Sequence, residues 1–328
     1  MKRLIQLKVN CLLSLIFLIS VSCDSPAPKP PKAVKTVAFI TNTTSDFWKI
    51  ARKGCEKADA ELADLTVAFK TTNTGTTDEQ NRHIRDALNR DEADAIAISP
   101  IDPAAQKNVI NEAAKRALVI THDSDASDSD RALYLGADNR AAGREAGELI
   151  KKALPQGGKI MVFVGKREVQ NARERFEGLK ESLQGSTVEI IDLMTDDANP
   201  TRARENAYQT LKKYPDIAGM VGLWSYNGPA ILQALRPEGK LGKIKIVCFD
   251  DDRETLAGIK EGAIFGTVAQ QPFEYGYQAV QAAAKILRGD RSIVPESKTI
   301  LIPTVVVQRN DVDEYTKKLN QLLGGTPG

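Results

Sequence analysis

Beyond Val34 the chain alternates, almost without interruption, between short runs dense in valine and isoleucine and longer amphipathic stretches. The runs are TVAFIT (36–41), LTVAFK (65–70), DAIAIS (94–99), ALVIT (117–121), KIMVFVG (159–165), TVEIIDL (187–193), IAGMVGL (217–223), IKIVCF (244–249) and FGTVAQ (265–270). Most are apolar at successive rather than alternate positions, the mark of strands buried on both faces. Such strands belong to parallel sheets, because the crossover helices that connect them also cover both sides. Helices are expected between them, for example over 45–63, 140–153 and 272–287. So many strands exceed one comfortable open sheet. The fold class is therefore α/β with two lobes, and LYLGADNR (133–140) marks the first crossover, near Asp138. A helix after 265–270 would carry the chain back to the first lobe, a return that periodicity alone does not establish.

A chain of 328 residues, 42% hydrophobic and 27% charged, is long enough for two cores. Its formal net charge is only +2, part of it from Lys2, Arg3 and Lys8. No basic stripe is left for nucleic acid or a membrane surface, which favours a neutral ligand. Those three cations, followed by CLLSLIFLISV (11–21), read as an export signal over 1–23, too short in its apolar run to span a bilayer. SVSC closes the signal in the manner of a bacterial lipoprotein, with Cys23 the lipidated first residue. Ser20 stands where that pattern has a bulky aliphatic, so ordinary cleavage after Ser22 stays open. DSPAPKPPKA reads as a proline-rich tether, and the fold starts near Val34. Cys55 and Cys248 sit in apolar patterns and read as buried free thiols.

Ligands of parallel α/β sheets bind beyond the carboxyl ends of the strands. The first strand is followed by Asn42, Thr43, Thr44, Ser45, Phe47 and Trp48, the third by Ser99 and Asp102, and the fourth by Asp123, Ser124 and Asp125. The second half adds Arg173, Asn199, Asn227, Asp250 and Gln270. Carboxylates, amides and a guanidinium beside aromatic rings suit a sugar. Hydroxyls donate and accept, and planar polar groups can hold two neighbouring ones at once, while the C–H faces of the sugar lie on a ring. Adjacent helical positions point apart. One of Phe47 and Trp48 is thus expected on the core of its own lobe and the other in the cleft. Taken alone, the pair could equally cover a core edge.

The segments AFITNTTSDFWKIARKG, AIAISPIDP, LVITHDSDA, NARERFEGL, YPDIAGMVGLWSYNGPAILQAL, IVCFDDDRE and GTVAQQPFEYGYQAV follow one another from residue 38 to 280. In order and spacing the chain resembles the type I periplasmic sugar-binding proteins of bacterial ABC importers, the family of the ribose- and galactose-binding proteins. The resemblance implies two doubly wound parallel-sheet lobes joined by a three-segment hinge. One lobe would comprise 35–138 plus 271–292 and the other 139–270 plus 293–320, with 321–328 a tail. It puts the stacking aromatics on Phe47 and Trp48, the strand-four aspartate on Asp123, the arginine of ARER on Arg173, an amide on Asn227, the second aspartate on Asp250 and a hinge-proximal glutamine on Gln270. Ser45, Ser99 and Asp125 complete the expected ligand set. The partners implied are a monosaccharide and an ABC permease, for a monomer that touches the membrane only through its anchor. Three departures stand out. Ser124 replaces the arginine that follows the aspartate in the ribose binder, Ser45 and Ser99 replace asparagines, and a third aromatic is missing near Ala198. A pentose or hexose still fits this pattern, ribose itself fits it poorly, and a nucleoside or other non-sugar ligand stays open.

Other chemistries find less support. DSDASDSD (123–130) lacks the glycine and glutamate of a calcium loop, with Asp128 and Tyr134 in their places, and no metal or cofactor is expected. In DDD (250–252), Asp250 is expected at the ligand and the next two acids at a helix N-terminus. Arg173 is expected in the cleft with Arg175 outside it, and Arg173 and the amides should lower the pKa of the cleft acids. GxSxG, HExxH, GxxxxGK[ST] and GxGxxG are absent, so the chain reads as a binding protein and not an enzyme. The same fold could instead present its sugar to a chemoreceptor or sensor kinase. A transcription regulator is disfavoured by an export signal where a helix-turn-helix would stand.

Overall fold

The computed structural model describes residues 34–323. The expected signal, the expected lipidation site Cys23, most of the tether and the last residues of the tail lie outside that range. The first sheet contains β1 (Lys35–Ile40), β2 (Leu65–Lys70), β3 (Ala95–Ile98), β4 (Leu118–His122) and β5 (Leu133–Gly136), with α1 (Asp46–Glu61), α2 (Thr77–Asn89) and α3 (Pro103–Ala114) between them. The chain then crosses into α4 (Asn139–Ala153), β6 (Gly158–Val164), α5 (Gln170–Leu183), β7 (Val188–Thr195), α6 (Pro200–Lys213), β8 (Ile217–Gly222), α7 (Asn227–Leu235), β9 (Lys245–Phe249), α8 (Arg253–Glu261) and β10 (Gly266–Ala269). After α9 (Pro272–Leu287) come β11 (Thr299–Leu301), β12 (Val305–Gln308) and α10 (Val312–Leu322).

The two sheets have the same pattern, β11-β5-β4-β3-β1-β2 and β12-β10-β9-β8-β6-β7. Their ladders are parallel except where β12 pairs with β10. Each is buried on both faces, as runs of consecutive apolar residues require. In β1, Val37 and Phe39 enter one cluster and Ala38 and Ile40 another. In β6, Met161 and Phe163 point one way and Ile160, Val162 and Val164 the other.

The chain passes between the lobes three times: after β5, after β10 and between β11 and β12. Helix α9 lies against α1 in the first lobe, and α10 lies against α8 in the second. The last crossing differs from expectation. β11 pairs with β5, Thr299 opposite Tyr134 and Leu301 opposite Gly136, so the chain ends its second visit to the first lobe at about Leu301. The segment 293–320 therefore does not belong as a whole to the second lobe. TIL and VVVQ are short strands separated by Pro303, too brief for a periodic signal.

Glycines set the height of α5 over α4. A β-carbon on Gly143 would stand 2.1 Å from the carbonyl oxygen of Arg175, and one on Gly178 2.0 Å from that of Arg140. Helix α5 therefore lies directly on α4, backbone against backbone, and this contact places Arg175 beneath the cleft.

Candidate functional site

Residues past the carboxyl ends of strands in both sheets converge on one cavity of about 40 Å³. The first lobe contributes Asn42, Thr43, Ser45, Phe47, Trp48 and Asp123. The second contributes Asn171, Arg175, Trp224, Ser225, Tyr226 and Asp250, and Gln270 stands at the second crossing.

Asp123 and Asp250 occupy matching places, directly after β4 and β9, and both have left-handed backbones, with φ of 60° and 67°. Aspartate is one of the few residues with a side chain that tolerates this region, at some cost. Asp123 accepts from Ser99 Oγ at 2.6 Å, from Asn42 Nδ2 at 3.3 Å and, across the cleft, from Asn171 Nδ2 at 3.3 and 3.4 Å. Asp250 accepts from Gln270 Nε2 at 2.8 Å, and Gln270 in turn accepts from the Tyr275 hydroxyl at 3.0 Å.

Arg175, only 1% exposed, lines the same cavity as these acids. Its Nε donates to Asn139 Oδ1 at 3.0 Å and its Nη1 to the Leu223 carbonyl at 2.8 Å, and its guanidinium lies 4.6 Å over the Phe249 ring. Its Nη2 is buried with no partner. Buried donors are nearly always satisfied, and this one belongs to a group that lines the cavity. Burial, the largest influence on both acids, outweighs the pull of Arg175: Asp123 is pushed up to about 6, and Asp250 is raised in the same direction. The expected lowering is thus reversed, because the desolvation of a wholly buried carboxyl exceeds what one cation and a few amides return.

Phe47 and Trp48 do not divide their work as expected. Both belong to the core cluster of the first lobe and both line the cavity. Their rings meet edge to face at 4.8 Å, Phe47 leans on Tyr275, and Trp48 Nε1 donates to Asn42 Oδ1 at 3.0 Å. Beneath them His122 stacks on Phe39 at 4.1 Å, its pKa lowered by burial to about 3, so the ring is neutral.

The sequence model of the family described as "Periplasmic binding protein domain" matches residues 37–291. The chain belongs to that family. It is similar to the ribose import binding protein RbsB of Bacillus subtilis, 26% identical over 299 residues covering 89% of this chain and 94% of that one. RbsB of Salmonella typhimurium is 25% identical over 261 residues, 79% of this chain and 87% of the relative. A solute-binding protein of an ABC transporter from Burkholderia graminis, solved in complex with D-arabinose, is 27% identical with a TM-score of 0.81, over 87% of this chain and 99% of that one. Another, from Agrobacterium vitis with bound α-D-tagatopyranose, is 25% identical with a TM-score of 0.80, over 86% and 97% of the two chains. The two-lobed α/β architecture is that of a type I periplasmic binding protein.

In this periplasmic binding protein, several residues singled out by sequence stand elsewhere. Arg173 is exposed and donates to the Glu168 carbonyl, while Arg175 takes the cleft. The reason is helical register: Asn171, Ala172, Arg175 and Leu179 form the buried face of α5, and Arg173 lies opposite. Asp125 turns into its own lobe, paired with Arg131 through both oxygens and accepting from Thr121 Oγ1 at 2.6 Å. Ser99 stands behind Asp123 and not in the cavity wall. Asn227 begins α7, where its Oδ1 accepts from the Trp224 N–H at 2.9 Å and its Nδ2 donates to Asp196 at 3.2 Å. Asp102 and Asn199 cap α3 and α6. Asp252 caps α8, but Asp251 is no cap: it is buried and accepts from the Tyr315 hydroxyl at 2.9 Å. Asn171, Trp224, Ser225 and Tyr226 complete the wall. They follow β6 and β8, so the rule of strand carboxyl ends could have found them. Among the described residues, no group of three or more His, Cys, Asp or Glu side chains could hold a metal ion.

Proposed function

We propose that this protein captures a monosaccharide between its lobes, outside the cytoplasm, and hands it to the permease of an ABC importer. One observation carries the reading: Arg175, buried with an unpaired N–H, shares with an acid from each lobe a cavity lined by aromatic rings. Carboxylates, an arginine fork, amides and rings suit hydroxyls on a C–H framework. The ribose, arabinose and tagatose named for the similar proteins support the same ligand class.

A cavity of about 40 Å³ holds little more than one water. A sugar must therefore enter with the lobes apart and displace polar groups that now meet across the cleft. Asn171 on Asp123 is one such contact. The Asp125 N–H donating to Gln170 Oε1 at 3.0 Å and Lys166 Nζ donating to the Gly75 carbonyl at 2.9 Å are others. A ligand that engages both lobes at once favours the closed form, which is the form a permease can tell from the open one. The role is capture rather than catalysis. The export signal and Cys23 support an extracytoplasmic chain held by lipid, and among the described residues no helix is long and apolar enough to cross a membrane.

A thermal-shift screen of the purified chain against monosaccharides tests the reading. A sugar at a hundredfold excess over its Kd stabilises by about 2.7 kcal/mol. A clear rise in Tm with one or a few sugars is expected, and a panel of pentoses and hexoses that leaves Tm unmoved would overturn it.

A further inference from the structure

The three consecutive acids after β9 do three different things. Asp250 lines the cavity and Asp252 caps α8. Asp251 does neither: it is buried and accepts from the Tyr315 hydroxyl at 2.9 Å. Tyr315 belongs to α10, where Val312, Tyr315 and Leu319 recur at three- and four-residue spacing and so share one face. Val312 and Leu319 are buried in the apolar core of the second lobe with Ile259 of α8, and Tyr315 packs against the same cluster. The backbone of Asp250 shows why that bond matters. A left-handed conformation on a residue with a side chain persists only when its surroundings hold it there, and Asp250 has φ of 67°. Its N–H donates to the Val268 carbonyl at 3.0 Å and its carbonyl accepts from Thr267 Oγ1 at 2.7 Å. Asp123 is held alike. Its N–H donates to the Leu135 carbonyl at 3.1 Å, its carbonyl accepts from the Tyr134 hydroxyl at 3.1 Å, and nearby Asp125 is pinned by Arg131. In the first lobe these partners lie on β5 or just before it. In the second, the pin on the residue after the aspartate comes from a tyrosine 64 residues further along the chain.

We propose that Tyr315 is a positioning residue for the sugar site: by holding Asp251 it keeps the preceding residue, Asp250, where a sugar can meet it. This rests on the sugar-capture reading above. A buried carboxyl without a partner is costly. Freed of Tyr315, Asp251 has room to turn, since it also lines a cavity of about 330 Å³ beside α10. The peptide it shares with Asp250 turns with it, and the second acid then leaves Gln270 and the sugar. Helix α10 thus serves the site without touching the ligand.

Calorimetric titration tests this, alongside the Tm of each variant. The probe is the tightest binder of the parent among D-ribose, D-arabinose, D-xylose, D-glucose, D-galactose and D-tagatose. Tyr315→Phe and Asp251→Ala should each weaken binding by about fivefold, the worth of one net hydrogen bond. The double variant should bind no more weakly than the worse single one, because both remove the same bond. Asp251→Asn keeps an acceptor for the hydroxyl and should bind like the parent. Should Tyr315→Phe fail to fold, the two Asp251 variants decide alone. If Tyr315→Phe melts lower yet binds like the parent, the tyrosine only holds α10 in place and the proposal is overturned. Equal weakening by Asp251→Asn and Asp251→Ala overturns it too, since the charge and not the bond would then matter. In either case a weakened Asp250→Ala leaves the sugar site standing. A parent that binds none of the six sugars overturns the capture reading, and the proposal with it.

Discussion

Two arginines of one helical turn, Arg173 and Arg175, have opposite fates because they lie about 200° apart around α5. Arg175 Nη2 is the free donor, so Arg175→Lys, which keeps the charge but loses the fork, should weaken sugar binding at least tenfold by calorimetry. Arg173→Lys should leave it unchanged. The sequence shows two candidate guanidiniums in its ARER segment, and the choice turns on where the helix begins, which boundary signals place only to within a few residues. Asp123 makes a second prediction. Its pKa is raised to about 6 by burial, so it gains a proton as pH falls through that value. A protonated carboxyl loses an acceptor site, and sugar affinity should therefore be lower at pH 5 than at pH 7.5. An affinity independent of pH over that range would show that the carboxylate form is not what binds.

At the scale of elements, the long apolar runs made nine strands legible, because a strand buried on both faces has no polar alternation to confuse it. β11 and β12 were not legible: each is a few residues long, and their partners lie far away in sequence. The same limit hid the tie between α10 and the loop after β9, where Tyr315 donates to Asp251. Burial raises Asp251 to about 7, well above its value in an unfolded chain. A group whose folded pKa is raised stabilises the fold at low pH, and that contribution is lost as pH rises from about 4 through about 7. Asp251→Asn keeps an acceptor for Tyr315 and removes the charge. It should unfold a few degrees above the parent at pH 8 and close to it at pH 5. A variant less stable than the parent at pH 8 would show that the ionised carboxylate is worth keeping there.

Across the whole molecule, two sheets of like order are joined by three crossings. The second and third crossings touch, Gln271 Nε2 donating to the Pro303 carbonyl at 2.8 Å, and Thr304 Oγ1 donates to Glu145 at 2.7 Å. These bonds tie the second and third crossings to each other and to α4. The site was legible as a place, since strand ends of parallel sheets collect ligands, but not as a complete set. Which neighbour of Asp250 turns inward, or which loop supplies a ring, depends on contacts between distant segments. The claim that both lobes hold the sugar is tested most directly by calorimetric titration of the chain, of Asp123→Ala and of Asp250→Ala with the sugar that raises Tm. Each variant, folded as well as the parent, should bind at least tenfold more weakly. If either variant binds as tightly as the parent, the sugar is held by one lobe alone and the capture between lobes is wrong.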